Sequence, residues 1–82
     1  MKNVDLHQLD LLCQLIDKQS LGAAAAQLNM TSSAASQSLM RLRAAFPEDL
    51  YARQGGAYLL TPYGERVIDG LRSIVRRWRE VE

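Results

Sequence analysis

Four consecutive alanines, Ala23–Ala26, lie between two residues suited to starting helices, Ser20 and Thr31. Alanine has the highest helix propensity of any residue, and a run of it presents a thin surface that another helix can approach closely. Ser20 is a good N-cap for a helix through Leu21–Leu28, and Thr31 caps the helix after it. Between them Asn29 suits a left-handed C-cap, and Met30 plugs the corner beneath it. Two helices joined by about three residues form a helix-turn-helix.

The flanking segments extend this unit. From Asp5 to Lys18 the apolar residues Leu6, Leu9, Leu12, Cys13 and Ile16 recur at helical spacing and give one buried stripe. In the helix after Thr31, Ala35, Leu39, Leu42 and Phe46 form the core-facing stripe, and Pro47 stops it. Two β-prone runs, Leu50–Arg53 and Tyr58–Leu60, surround Gln54-Gly55-Gly56-Ala57 and predict a hairpin whose turn type the loop length leaves open. Thr61-Pro62 then opens a helix that can run to the C-terminus, about 30 Å at 1.5 Å per residue.

That last helix carries Val67, Leu71, Ile74, Trp78 and Val81 at alternating steps of four and three, a heptad seam widened by Ile68 and Val75. Arg72, Arg76 and Arg79 fall away from the seam. Part of the stripe can pack on the domain, but the distal part is expected to extend past any core the preceding residues build. A second copy of the chain is the economical partner, through Val67, Leu71, Ile74, Val75, Trp78 and Val81. The expected fold is therefore mostly α: three helices, a short two-stranded β-hairpin and a long C-terminal dimerisation helix. Residues 1–61 form the first unit and 62–82 the dimerisation helix.

Composition narrows the function. Eighty-two residues with a single cysteine, Cys13, must fold without an internal disulfide. His7 is the only histidine, so no Cys-plus-His metal site is expected, and no cofactor motif is present. No apolar run is long enough to span a bilayer and no secretory signal opens the chain, so a cytoplasmic protein is the default. An enzyme has little support, because His7 sits in an amphipathic pattern with no motif around it and Cys13 lies on an apolar stripe. Charge is uneven: residues 1–40 carry two lysines against three acids, whereas residues 41–82 carry eight arginines against six acids. Arginine is the side chain suited to bidentate phosphate and guanine contacts.

The segment richest in chemistry is Thr31-Ser32-Ser33-Ala34-Ala35-Ser36-Gln37-Ser38. Serine and threonine are mediocre inside helices, so their crowding here is a cost. With Ala35, Leu39 and Leu42 inward, a 100° step per residue puts Ser33, Gln37, Met40 and Arg41 on the exposed face, Ser36 at its flank and Ser32 near the open N-terminus. Hydroxyls and free backbone N–H groups take phosphate oxygens, and glutamine pairs bidentately with adenine. Taken alone a serine-rich first turn is ordinary capping. Its place as the second helix of a helix-turn-helix turns the reading toward a major groove. In the hairpin, Arg53 and Gln54 lead into Gly55-Gly56, which lets backbone lie close to a phosphate ribbon; equally, Gly-Gly is a turn and Arg53 a solvated strand residue.

The run from Ser20-Leu21 through Ala24-Ala25, Leu28, Met30-Thr31, Ser33–Leu39 and Arg41-Leu42 resembles the N-terminal domain of LysR-type transcriptional regulators. So do Leu50-Tyr51-x-Arg53 and Leu60-Thr61-Pro62-x-Gly64, and the likeness covers essentially the whole chain from Leu6 onward. The resemblance implies a winged helix-turn-helix with a dimerising linker helix in a bacterial transcription factor. Carried over by position, it implies DNA contacts at Ser20, at Thr31, Ser32, Ser33, Ser36 and Gln37, and in the wing at Arg53 and Gln54. It places a recognition helix at about 32–45 in the major groove and a wing at about 53–58 on the minor groove and backbone. Gln37 stands where the family often has arginine, which makes adenine plausible over guanine. Arg43 replaces a common glutamate, and Pro47-Glu48 stands where a glycine is usual; both resemble a subgroup with an Arg-Leu-Arg run. The family's effector-binding domain is absent from these residues, so a small-molecule effector would act only through that missing part.

Double-stranded DNA and a second copy are thus the expected partners, with no membrane. The competing reading is a winged helix used for protein–protein contact without DNA, which the net charge of +1 favours.

Overall fold

The computed structural model describes residues 4–81, the side chain of Val75 excepted. In chain order it contains α1 (Leu6–Lys18), α2 (Leu21–Gln27), α3 (Ser32–Ala44), β1 (Tyr51–Gln54), β2 (Ala57–Leu60) and α4 (Pro62–Val81). The fold is mostly α with a single two-stranded antiparallel ribbon, a winged helix-turn-helix.

Helix α1 is the centre of the molecule and touches α2, α3, α4 and β2. It starts at a capping box: the Asp5 carboxylate accepts from the Gln8 amide at 2.9 Å, and the Gln8 side chain accepts from the Asp5 N–H at 3.1 Å. The stripe Leu9, Leu12 and Cys13 is buried, as the spacing predicts, but every residue from Gln8 to Leu15 is buried as well. The expectation of one buried stripe is too narrow. Leu11 and Leu15 give a second buried face, because the helix is packed from several sides at once.

The helix-turn-helix forms as the caps dictate. Ser20 accepts from the Ala23 N–H at 3.1 Å, and Thr31 accepts from the Ala34 N–H at 3.0 Å. Asn29 adopts φ 57°. The N–H groups of Asn29 and Met30 donate back to the carbonyls of Ala26 and Ala25 at 3.1 and 2.8 Å, the paired bonds of a Schellman turn. Ala24, Ala25, Ala35, Leu39 and Leu42 join the core, and Met30 and Phe46 pack against it. Helix α3 ends at Ala44 with Ala45 as its cap, so Phe46 reaches the core from beyond the helix.

The strands pair Tyr51 with Leu60 and Gln54 with Ala57. Gly55 and Gly56 both have positive φ, 58° and 82°, which settles the turn as the two-residue type I′ that matches strand twist. At the start of α4, the Thr61 hydroxyl donates to the Asp49 carbonyl at 2.6 Å and accepts from the Gly64 N–H at 2.9 Å. A Cβ on Gly64 would fall 2.7 Å from the Leu50 carbonyl carbon and nearer still to its oxygen. Glycine is required there by close approach, and this contact sets where α4 leaves the hairpin.

Helix α4 then runs back along α1 rather than away from it. Ile68 is fully buried, and Val67 and Leu71 pack against the core. Farther along, Arg72 meets Asp17 at 3.4 Å, Arg79 pairs with Asp10, and Trp78 lies edge-on to His7 with ring centroids 4.4 Å apart. The distal part, expected to project beyond the core, is therefore clasped to α1. The 32 Å long axis of the molecule is close to the length of this one helix. Ile74 and Val81 remain exposed, and Gly70 faces open space.

Candidate nucleic-acid interface

The outer face of the helix-turn-helix is exposed and polar apart from Met40, which is 67% exposed as its spacing predicts. Thr31, Ser32, Ser33, Ser36, Gln37 and Arg41 are all exposed, while Ala35, Ser38, Leu39 and Leu42 point inward. Burial of Ser38 was not anticipated from the sequence. Ser20 and Thr31 use an oxygen lone pair in capping, which leaves each O–H proton available to a phosphate oxygen. The Ser20 and Ser32 hydroxyls lie 3.9 Å from the same point beside Gly22, so the starts of α2 and α3 converge. The first-turn N–H groups of α3 add a partial positive charge at that end. Arg41 stands one turn past Gln37, on the rim of an open cleft of about 640 Å³ that α3 makes with the start of α1.

The wing presents a second charged surface. Arg53 is exposed, its guanidinium 4.7 Å from the Tyr58 ring centroid and donating to the Tyr58 hydroxyl at 2.9 Å. Gln54 is exposed at the end of β1, beside the turn. Arg53 and Tyr58 face each other across the ribbon, where the N–H and C=O of Tyr58 point away from β1. Gln19 satisfies both: its side-chain oxygen accepts from the Tyr58 N–H at 2.8 Å and its Nε2 donates to the Tyr58 carbonyl at 2.7 Å. The same Nε2 donates to the Ile16 carbonyl at 2.8 Å. Gln19, itself left-handed at φ 58°, thus ties the wing to the junction between α1 and α2. Sequence reasoning missed it, since a glutamine between two helices reads only as an interruption.

A second pairing was also missed. Asp10 is 1% exposed and accepts from Arg79 Nε at 2.6 Å. The signal lay in an acid flanked by Leu9, Leu11 and Leu12, all of which are buried. Beside it, burial pushes the Cys13 thiol above its ordinary value, with the Arg72 and Arg79 guanidiniums pulling the other way. Among the described residues, no three His, Cys, Asp or Glu side chains gather as metal ligands.

Of the residues expected to meet nucleic acid, the structure brings Ser20, Thr31, Ser32, Ser33, Ser36, Gln37 and Arg41 to one helical surface, and Arg53 and Gln54 to the hairpin. On α4 the expected seam divides. Val67 and Leu71 serve the chain's own core and Trp78 lies against His7, whereas Ile74 and Val81 are open; the side chain of Val75 lies outside the described residues.

Residues 6–65 match the model of the bacterial regulatory helix-turn-helix proteins of the lysR family. The chain belongs to the LysR family. Nodulation protein D 3 of Rhizobium meliloti (strain 1021) is 35% identical to this LysR-family chain over 72 residues, covering 88% of the chain and 23% of that protein. The transcriptional activator NagR of Ralstonia sp is 38% identical over 78 residues, covering 90% and 26%. The chain spans about a quarter of the length of these curated LysR relatives. Among solved structures, a probable transcriptional regulator from Pseudomonas aeruginosa superposes with a TM-score of 0.81 at 29% identity, covering 96% of this chain and 26% of that one. The BenM DNA-binding domain, in complex with benA site 1 DNA, superposes with a TM-score of 0.80 over 95% of this chain and 88% of that one. At 18% identity it speaks for the fold alone.

Proposed function

We propose that this LysR-family chain binds double-stranded DNA in a sequence-specific manner, as the DNA-reading part of a dimeric bacterial transcription regulator and not as an enzyme. The observation that carries the proposal is the outward, unshielded set Thr31, Ser32, Ser33, Ser36, Gln37 and Arg41 on a helix whose opposite side is locked into the core. Helix α3 enters a major groove. Its N-terminal hydroxyls and those of Ser20 hold phosphates, and Ser33, Ser36 and Gln37 read base edges. Arg53 and Gln54 follow the adjacent backbone and minor groove. The BenM complex makes duplex DNA the natural ligand to test.

In this reading residues 1–61 read DNA and the helix of 62–82 pairs two copies, so that two α3 helices meet successive major grooves on one face of the duplex. The exposed Ile74 and Val81 and the bare flank at Gly70 support that role for α4, whereas Val67 and Leu71 of the expected seam pack on the chain's own core and Trp78 on His7. An effector would act through further sequence of the kind the longer relatives possess, and the regulator works in the cytoplasm.

Fluorescence anisotropy with duplex DNA at two salt concentrations tests the proposal, because phosphate contacts make affinity fall steeply with salt. Arg53→Ala should weaken binding to all sequences alike, whereas Gln37→Ala should lose roughly 1–3 kcal/mol at one base position. Absence of binding at low salt would favour the protein–protein reading instead.

A further inference from the structure

Between α3 and the inner face of the hairpin runs a crease of about 180 Å³, bordered by Ser36, Met40 and Arg43 on the helix and by Tyr51 and Tyr58 on the strands. Cations and rings alternate across it. The Arg43 guanidinium lies 5.2 Å from the Tyr51 ring centroid, the two tyrosine rings are 6.4 Å apart, and Arg53 lies 4.7 Å from the Tyr58 ring centroid. Stacking holds each guanidinium near a fixed position while leaving N–H donors at its edge free to bind. The Tyr58 hydroxyl accepts from Arg53, so its proton is available to a further acceptor. Arg43, Arg53 and the Tyr58 hydroxyl can therefore donate to one kind of ligand, a chain of anionic oxygens, along the polar edge of a crease whose remaining lining includes the apolar Leu15, Leu21, Leu39 and Met40.

Resting on the reading above, we infer that this crease is a phosphodiester site, and that Arg43 is a DNA-backbone contact alongside Arg53. If α3 lies in a major groove and the wing in the neighbouring minor groove, the strand dividing those grooves must cross the gap between them. That gap is the crease. Arg43 sits two turns along α3 from Ser36, so the strand meets base-reading hydroxyls at one end and paired guanidiniums at the other. In the free protein Arg43 is held by Asp49 at 3.5 Å, with side chains 46% and 69% exposed. An ion pair that exposed yields readily to a phosphate. Asp49 is thus a competitor for Arg43 that holds the guanidinium in place until DNA arrives.

Competition separates this role from a structural tie. The 82-residue chain would be titrated into a fluorescein-labelled duplex of arbitrary sequence across a salt series, with melting temperature measured for each variant. Arg43→Gln should weaken binding roughly tenfold at low salt and flatten the log–log salt slope by about one, with melting little changed. Arg43→Lys should retain most of the affinity, and if Arg43→Gln does not fold the comparison of Asp49→Asn with Glu48→Gln carries the test. Asp49→Asn should tighten binding severalfold and by more than Glu48→Gln, which removes the same charge one residue away. That excess should vanish in the Arg43→Gln background. Wild-type binding with an unchanged Arg43→Gln slope, or an Asp49→Asn variant that binds more weakly, overturns the inference while leaving the DNA reading intact. A wild-type chain that fails to bind at all overturns both.

Discussion

The pair Asp10–Arg79 joins a wholly buried carboxylate to a guanidinium whose side chain is 37% exposed, and this asymmetry predicts unequal costs for removing the two partners. Arg79→Met strands a carboxylate that is 1% exposed. Orphaned buried charges cost about 3–5 kcal/mol, and the partly open site places this one near 3 kcal/mol. Asp10→Leu instead leaves an arginine free to swing into solvent and fills its own site with a side chain of similar size. Its cost should be about 1 kcal/mol or less, and Asp10→Leu combined with Arg79→Met should be near neutral or stabilising. A domain of this size has a total stability of only about 4–12 kcal/mol, so Arg79→Met should lower the melting temperature by about 12–24 °C. Urea unfolding followed in parallel by circular dichroism and by fluorescence of Trp78, the single tryptophan, provides the assay. Trp78 lies against His7, so its signal reports the α1–α4 clasp directly. Equal losses for the two single variants, or an additive double variant, would show that Asp10 is not sealed behind α4.

Three further outcomes follow from the same packing. Gly64→Ala forces a methyl into the Leu50 carbonyl and should cost about 1–3 kcal/mol, read as a lower urea midpoint at unchanged slope. Ile74→Asp should abolish dimerisation in sedimentation while preserving the monomer fold, since Ile74 is 48% exposed; Leu71→Asp is the poorer test, because it also damages the chain's own core. The Cys13 thiol, raised above its ordinary 9.0 by burial, should resist thiol reagents until the protein unfolds. Its folded pKa lies above its unfolded one, so its contribution to stability is complete below pH 9.0 and is lost as pH rises through the folded value. A chemical-denaturation series at alkaline pH, compared with Cys13→Ala, checks the sign.

Legibility from sequence tracked how local each interaction is. Ser20, Asn29 and Thr31 act within a few residues of themselves, so the helix-turn-helix could be read from their order alone. Gly55-Gly56 marked the hairpin, although only the two positive φ angles specify its turn. Helix periodicity placed Ser33 and Gln37 outside because Ala35, Leu39 and Leu42 define the inside so clearly. Where partners lie far apart in the chain, the pattern fell silent. Asp10 and Arg79 are 69 residues apart, and Gln19 and Tyr58 are 39 apart. The α4 stripe was visible, but an apolar stripe does not name its partner. Val67, Ile68 and Leu71 are taken by the core of the same chain, and the clasp to α1 depends on arginines that read as solvated.

In the proposed function the exposed start of α3 meets a DNA duplex. At 9.2 kDa the chain suits backbone-amide chemical-shift mapping during titration with a short duplex. The largest shifts should run from Thr31 to Arg41 and recur at Ser20, Arg53 and Gln54, with the exposed flank at Ile74 and Val81 unmoved at subunit concentrations held constant. Shifts concentrated on α4, or none along α3, would contradict the proposal.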